Sequence, residues 1–269
     1  MKNHRFLTRM MSALVVLPIF FGAIYLGHPY LFIFVTLVAI LAIFEFIKLV
    51  KISNLLLQII LIISVPLILI LLSLPSLGND IITNIFLITS LISGLYITLF
   101  KLDINNQIKL SFYGISGLIY ITGAILSGLN IYDNFEISLI FIIMIGIFIT
   151  DTSAFMVGIT LGKHPLAKKI SPNKTIEGSL GSFIVTTLFF IFVYSQNYTI
   201  FTNIFTTILF STVLNISAQF GDIIISTLKR KANVKNTGII MPGHGGCLDR
   251  IDSILLSLIT TNVFLWSIT

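Results

Sequence analysis

The chain has 269 residues, of which 56% are hydrophobic and only 10% are charged, and its mean hydropathy is +1.06. A soluble domain carries charge on about a quarter of its residues, so these charges are too few to cover a water-facing surface, and we predict an integral membrane protein. The net charge of +6 could indicate nucleic-acid binding, but the placement of the charges explains it better, and no nucleic-acid partner is predicted. The single cysteine, Cys247, excludes an intramolecular disulfide.

Apolar stretches follow one another along the whole chain. A helix needs about 20 apolar residues to cross a bilayer, and about nine stretches approach that length. They run approximately over 10–27, 31–50, 55–77, 81–100, 110–129, 137–162, 179–195, 200–222 and 248–268. The predicted fold class is an all-α integral membrane protein, a polytopic helical bundle of these transmembrane helices.

The N-terminal stretch MKNHRFLTRM and the apolar run after it resemble a signal peptide. No small-residue cleavage site follows clearly, so we interpret the run as a first span that stays attached. Residues 1–269 are predicted to form a single membrane domain. Its N-terminal spans, in 1–136, are plain, and the candidate catalytic spans and cytoplasmic loops lie in 137–269.

The basic residues predict the orientation, because cytoplasmic segments carry an excess of lysine and arginine. With a cytoplasmic N-terminus and alternating spans, the only charged residues of the outer segments are Asp80, Asp133 and Glu136. The inner segments hold all 16 basic residues: Lys2, Arg5, Arg9, Lys48, Lys51, Lys101, Lys109, Lys163, Lys168, Lys169, Lys174, Lys229, Arg230, Lys231, Lys235 and Arg250. The partition predicts a multi-pass protein of the cell (inner) membrane with its polar site facing the cytoplasm.

Glu45 is the one acidic residue near a membrane end in the first five predicted spans. Lys48 follows one helical turn later, at the spacing at which side chains share a face. We therefore expect a structural Glu45–Lys48 pair.

Acidic residues in the second half of the chain are the first candidates for function, because carboxylates are costly in a membrane. Asp222 and Ser226 share one helix face, and Asp249 and Asp252 share another. Five acids from distant segments reach the same predicted cytoplasmic level: Asp151, Glu177, Asp222, Asp249 and Asp252. Two purely structural interpretations stay open, namely a helix cap for Asp249 and a lysine pair for Asp151.

The stretch PGHGG precedes the last predicted helix. Glycines allow close backbone approach, and free N–H groups at a helix N-terminus favour anions such as phosphate. The aspartates of the first turn would repel phosphate, but Mg²⁺ can bridge carboxylates and phosphate oxygens. Nearby cations suited to neutralising a polyphosphate are Lys229, Arg230, Lys231, Lys235 and Arg250. His244 is a general base, a phosphate donor or a loop anchor, and spacing does not choose among these.

The stretch GITLGKH, residues 158–164, is similar to a P-loop. It has one residue too few between its glycines, and it lacks the Ser or Thr after the lysine. Gly158 and Gly162 are therefore interpreted as a small-residue helix contact.

The stretch STLKRKANVKNTGIIMPGHGGCLDRID, residues 226–252, resembles the signature of the phosphatidate cytidylyltransferase (CDP-diacylglycerol synthase) family. DTSAF at 151–155, SPNKTIEG at 171–178 and GD at 221–222 are similar to further family stretches. The chain departs from the family pattern at Asn173, Ile176 and Asn236.

The resemblance implies a nucleotidyltransferase of phospholipid biosynthesis, which converts CTP and phosphatidate into CDP-diacylglycerol and pyrophosphate. It also implies Mg²⁺, with a second cation left open, and a possible homodimer. The implied metal ligands are Asp222, Asp249 and Asp252, and the implied catalytic residues are these three with Lys229, Arg230, His244 and Arg250. The implied substrate-binding residues are Asp151, Ser171, Lys174, Thr175, Glu177, Ser226, Lys235, Gly243, Gly245 and Gly246.

Two alternative functions remain. A related CTP-dependent lipid or polyprenol kinase would transfer the γ-phosphoryl group to an alcohol. A secondary transporter would use membrane acids as ion sites, but it favours polar groups near the midplane, whereas here they favour the inner face.

Overall fold

The computed structural model describes residues 18–73, 80–103, 106–168, 170–196, 201, 203–238 and 245–268. Within them nine segments are helical, and seven of these are long and apolar enough to cross a membrane. They are α1 (18–26), α2 (Tyr30–Val50), α3 (Leu55–Ser73), α4 (Asp80–Leu99), α5 (Gln107–Asn134), α6 (Ile137–Leu161), α7 (Ile176–Ser195), α8 (Ile204–Lys231) and α9 (Leu248–Ile268). These helices confirm the prediction of a polytopic all-α membrane protein. Helices suit lipid because they satisfy their own backbone hydrogen-bonding groups. The cytoplasmic N-terminus stays a prediction.

Helix α8 is longer than the predicted span 200–222. Its 28 residues correspond to about 42 Å at 1.5 Å per residue, which exceeds the roughly 30 Å of a hydrocarbon core. The helix continues through Leu228–Lys231 because leucine, lysine and arginine are good helix formers and cations suit a helix C-terminus. Asp222 therefore lies inside a continuous helix rather than at its end.

A small β-hairpin connects α6 to α7. Strand β1 (Pro165–Ala167) pairs antiparallel with β2 (Ser171–Thr175), and Thr175 opposite Pro165 leads directly into α7. The sequence predicted only a loop over 163–178. The strands are too short for an alternating pattern to reveal them.

Helices α6 and α7 approach closely at their glycines. A Cβ added at Gly178 would lie 2.6 Å from the Ala154 backbone oxygen and 3.1 Å from the Gly158 Cα, whereas a Cβ at Gly162 would meet Thr175. The predicted small-residue helix contact is therefore confirmed at Gly158, while Gly162 contacts the end of β2.

The chain forms two compact units, each discontinuous in sequence. The first comprises Met1–Leu129 and Leu228–Ile251, and the second Asn130–Thr227 and Asp252–Thr269. In the first unit Phe46, Tyr113 and Tyr120 are fully buried, and Gly117 gives the Phe46 ring its space. In the second, Phe190 and Phe210 pack edge to face with ring centroids 5.2 Å apart. A single membrane domain stays a prediction.

Candidate active site

In the second unit, the hairpin carries a lysine to an aspartate of α8. Lys174 Nζ lies 2.6 Å from Asp222 Oδ2 and donates to the Gln219 carbonyl at 3.3 Å. The Ser226 hydroxyl donates to Asp222 Oδ1 at 2.9 Å, at the predicted one-turn spacing. The side chains of Lys174 and Asp222 are 24% and 27% exposed, so solvent and ions reach this pair.

The same unit brings two further predicted acids to the first turns of α9. The Ser253 hydroxyl donates to Asp151 Oδ2 at 2.7 Å, so the α6 carboxylate contacts α9. The Ser253 backbone N–H donates to Asp252 Oδ1 at 2.9 Å. Gly221, next to Asp222, lets α8 approach α9, because a Cβ there would lie 2.5 Å from the Asp252 backbone oxygen.

In the first unit, Lys229 of α8 pairs with Asp249 of α9. Lys229 Nζ lies 2.8 Å from Asp249 Oδ1, and the backbone N–H groups of Thr237 and Gly246 donate to Asp249 Oδ2 at 2.8 and 3.1 Å. Asp249 is only 7% exposed. Both of its oxygens thus accept hydrogen bonds from the chain, and the bond from the Gly246 N–H, three residues earlier, reaches back from the first turn of α9 as in a capping box.

The two described glycines of the PGHGG stretch admit carboxylates close to the backbone. Gly245 has φ +92°, a conformation that favours glycine, and a Cβ there would lie 2.8 Å from Asp249 Oδ2. A Cβ at Gly246 would meet both Thr237 and Glu45. The stretch therefore requires glycine for close contact within the protein, whatever ligand approaches it. Gly243 and His244 lie outside the described residues, so their predicted roles stay predictions.

Glu45 of α2 is buried at 1% exposure, beside the start of α9. The backbone N–H groups of Cys247 and Leu248 and the Thr237 hydroxyl all donate to its carboxylate at 2.9 Å. The Lys48 ammonium lies 4.0 Å from the centroid of the Phe44 ring. The predicted Glu45–Lys48 pair is therefore wrong, because the free N–H groups of a helix N-terminus attract the carboxylate more effectively than an exposed lysine does. No local spacing pointed to this contact, whose partners are some 200 residues apart.

The remaining predicted residues of the 171–178 stretch support the hairpin. The backbone N–H groups of Lys163 and His164 donate to Glu177 Oε2 at 3.0 and 3.2 Å, and His164 Nδ1 lies 2.5 Å from Glu177 Oε1. Thr175 accepts from the Gly178 N–H at 3.1 Å and so caps α7. Ser171 pairs with Ala167 in the hairpin. This support places Lys174 beside Asp222.

The basic residues near the end of α8 differ in their contacts and exposure. Lys231 does not face the predicted phosphate site: its ammonium donates to the carbonyls of Ile97, Thr98 and Phe100 at 2.7, 2.7 and 2.5 Å. It thus satisfies orphan carbonyls at the C-terminus of α4. Exposed side chains are found at Arg230, Lys235 and Arg250.

Cys247 is buried directly before α9. Burial raises the pKa of its thiol to about 12, and the nearby Glu45 carboxylate contributes to the rise. The thiol therefore stays protonated at neutral pH.

Among the described side chains, no three or more His, Cys, Asp or Glu residues cluster in a way that could hold a metal ion. Asp222, Asp249 and Asp252 offer the hard carboxylate oxygens that Mg²⁺ prefers. The donor chemistry fits a cation held by one or two carboxylates with phosphate oxygens, rather than a cage made by protein alone.

Comparison with known proteins gives one consistent result. The model of the cytidylyltransferase family matches residues 7–268. A phosphatidate cytidylyltransferase of Staphylococcus haemolyticus is 32% identical over 96% of this chain and 98% of its own. Proteins of the same name from Staphylococcus epidermidis and Staphylococcus saprophyticus are 41% and 42% identical, each over 44% of this chain and 45% of its own. From its first described helix to its last, the chain belongs to the cytidylyltransferase family.

Proposed function

We propose that the protein transfers the cytidylyl group of CTP to phosphatidate, giving CDP-diacylglycerol and pyrophosphate at the cytoplasmic face of the cell membrane. The observation that carries the proposal is the similarity to a phosphatidate cytidylyltransferase along 96% of the chain. The polytopic helical fold supports it, because phosphatidate is a membrane lipid whose headgroup lies at the level of the helix ends. The partition of the basic residues supports the cytoplasmic side, where CTP is found.

The chemistry asks the protein for positioning and charge neutralisation. An oxygen of the lipid phosphate attacks the α-phosphorus of CTP, and a new P–O bond forms as the bond to the leaving pyrophosphate breaks. The lipid phosphate is the nucleophile, so no side chain has to become covalently attached. Fixed cations lower the barrier by stabilising the charge on the phosphate oxygens.

Lysines and arginines of this chain suit that task. Lys174 and Lys229 each lie within 3 Å of an aspartate, which fixes the ammonium group before the substrate arrives. Arg230 at the end of α8 and Arg250 in the first turn of α9 are exposed, and guanidinium groups bind phosphate through two parallel hydrogen bonds. In the first unit we assign Lys229, Arg230 and Arg250 to phosphate binding, and in the second unit we assign Lys174 to substrate binding.

The proposal includes Mg²⁺ bound through Asp222, Asp249 or Asp252, with a second cation as an open addition. When bound, Mg²⁺ supplies positive charge to the triphosphate. Asp222 and Asp249 each pair with a lysine, and the Asp222 side chain is the more exposed of the two. Its carboxylate can therefore exchange Lys174 for another cation with less disturbance of the fold than Asp249 can.

Turnover of purified protein with labelled CTP tests the function. We expect CDP-diacylglycerol and pyrophosphate in equal amounts, dependent on both phosphatidate and Mg²⁺. Release of CDP with a phosphorylated alcohol would identify a kinase instead. Flux of substrate into liposomes without conversion would identify a transporter.

The homodimer is a separate part of the proposal. Mass measurement of the protein in nanodiscs checks it, and a particle that contains one chain under turnover conditions would contradict it.

A further inference from the structure

We propose that Glu45 is a positioning residue of the reaction: from α2 it fixes the start of α9 and, through it, the Asp249–Lys229 pair. The inference rests on the cytidylyl-transfer function proposed above. It concerns only the first unit, which contains all the residues involved.

The Glu45 carboxylate acts as a helix cap supplied from another helix. Its Oε1 accepts from the Cys247 N–H, and its Oε2 accepts from the Leu248 N–H and the Thr237 hydroxyl, each at 2.9 Å. Leu248 is the first residue of α9, so the carboxylate faces the positive end of that helix dipole. At 1% exposure, the carboxylate depends on these three donors, because water cannot replace them.

The same residues carry the Asp249 site. Thr237 donates to Glu45 through its hydroxyl and to Asp249 through its backbone N–H. Gly246 donates to Asp249 through its N–H, and a Cβ on it would meet the Glu45 carboxylate. Gly238 also lies against Glu45, with a notional Cβ 2.5 Å from Oε1. Glu45 and Asp249 thus hold the same short segments, and Asp249 holds Lys229.

The arrangement requires a carboxylate. Glutamine at position 45 would place its NH₂ group where one of the two oxygens now accepts. That NH₂ would face the N–H of either Cys247 or Leu248, leaving a buried backbone donor without an acceptor. Loss of a buried hydrogen bond to a charged group lowers the equilibrium constant for the ordered over the released segment by about tenfold or more.

Kinetics and thiol labelling of the purified full chain test this role in Glu45→Gln, Glu45→Asp and Thr237→Val. Glu136→Gln is the matched control, since Glu136 is exposed before α6 and accepts from Ser138. Cys247 is the only cysteine, so its alkylation by a maleimide reports directly on the segment that Glu45 holds. Thr237→Val frees the segment while the Glu45 charge is retained, and therefore separates loop release from a change in the thiol pKa.

For Glu45→Gln we expect a KM for CTP about tenfold higher and Cys247 alkylation about tenfold faster, because one buried donor loses its acceptor. Thr237→Val is expected to change both in the same direction by about threefold, since a neutral hydroxyl donor contributes less. Glu45→Asp should restore part of the loss, and Glu136→Gln should match the wild type.

Two outcomes would overturn the inference. One is an unchanged KM for CTP and an unchanged alkylation rate in both Glu45→Gln and Thr237→Val. The other is a lower melting temperature and lower kcat with KM and labelling unchanged, as a purely structural residue would give. If the wild type lacks CTP turnover while labelling still responds to Glu45→Gln, the proposed function fails and the loop contact stands.

Discussion

The two lysine–aspartate pairs of the candidate site, Lys174–Asp222 and Lys229–Asp249, differ in enclosure. Asp222 and Lys174 are about one-quarter exposed, whereas Asp249 is 7% exposed and accepts two backbone N–H bonds besides that of Lys229. Pairs open to solvent contribute little to stability, whereas breaking an enclosed one leaves buried groups unsatisfied. The two aspartates should therefore respond differently to the same substitution.

We expect Asp249→Asn to lower the free energy of unfolding by about 2 kcal/mol, because an amide NH₂ would face either Lys229 or the two backbone donors. Asp222→Asn should lower it by about 0.5 kcal/mol. Both should reduce turnover of CTP with phosphatidate. Thermal unfolding in detergent and turnover of the same preparations measure the two effects. Equal stability of the two variants would contradict the difference in enclosure, and full Mg²⁺-dependent activity in either would remove its metal-ligand role.

At the level of the helices, the close contact of α6 with α7 requires glycine at position 178. Gly178 begins the contact of α7 with α6, and a Cβ there would lie 2.6 Å from a backbone oxygen of Ala154, which cannot rotate away. In a helix, alanine is otherwise favoured over glycine by about 1 kcal/mol. We predict that Gly178→Ala lowers the melting temperature and the activity, because α7 must move and carries the hairpin with it.

The matched control for Gly178→Ala is Gly22→Ala in α1, where a Cβ would meet no atom of the described residues within 4 Å. This variant should keep or raise the melting temperature, since only helix propensity changes. Calorimetry of the two variants in the same detergent makes the comparison. A Gly178→Ala protein as stable as Gly22→Ala would show that the α6–α7 contact tolerates a methyl group.

At this scale the sequence predicted what depends on local pattern. Long apolar runs predicted the helices, and one-turn spacing predicted that Asp222 and Ser226 share a helix face, where the two side chains form a hydrogen bond. The end of α8 was misplaced by nine residues, because the predicted span was closed at the charged Asp222, whereas the helix continues through Ile223–Ile225 and the helix formers of Leu228–Lys231. The hairpin was missed since Lys174 and Thr175 belong to a strand of five residues, too short for periodicity to identify.

Across the whole molecule, the contacts that sequence could not predict are those between distant segments. Glu45 contacts Cys247, which lies 202 residues away in the sequence, and Lys231 contacts Ile97, which lies 134 residues away. In both, a side-chain charge satisfies the backbone groups at the end of another helix. Such pairing depends on which helices pack together, and neither hydropathy nor spacing contains that information. The family signature marked Lys229 and Asp249, but it did not mark the α2 residue that accompanies them.

The predicted partition of all 16 basic residues to one side of the membrane is a property of the whole molecule, and labelling from each side tests it. Lys168 of the hairpin loop and Glu136 before α6 are both exposed and are separated by one long helix. With a membrane-impermeant maleimide, Glu136→Cys should react in intact cells, and Lys168→Cys only in inverted membrane vesicles. The parent chain is the matched control, because Cys247 is buried with its thiol pKa raised to about 12. The reverse pattern would invert the orientation, whereas labelling of both positions from one side would mean that α6 does not cross the membrane. Removing one of the 16 basic residues leaves the charge bias that sets the orientation intact, so the substitution does not disturb what it measures.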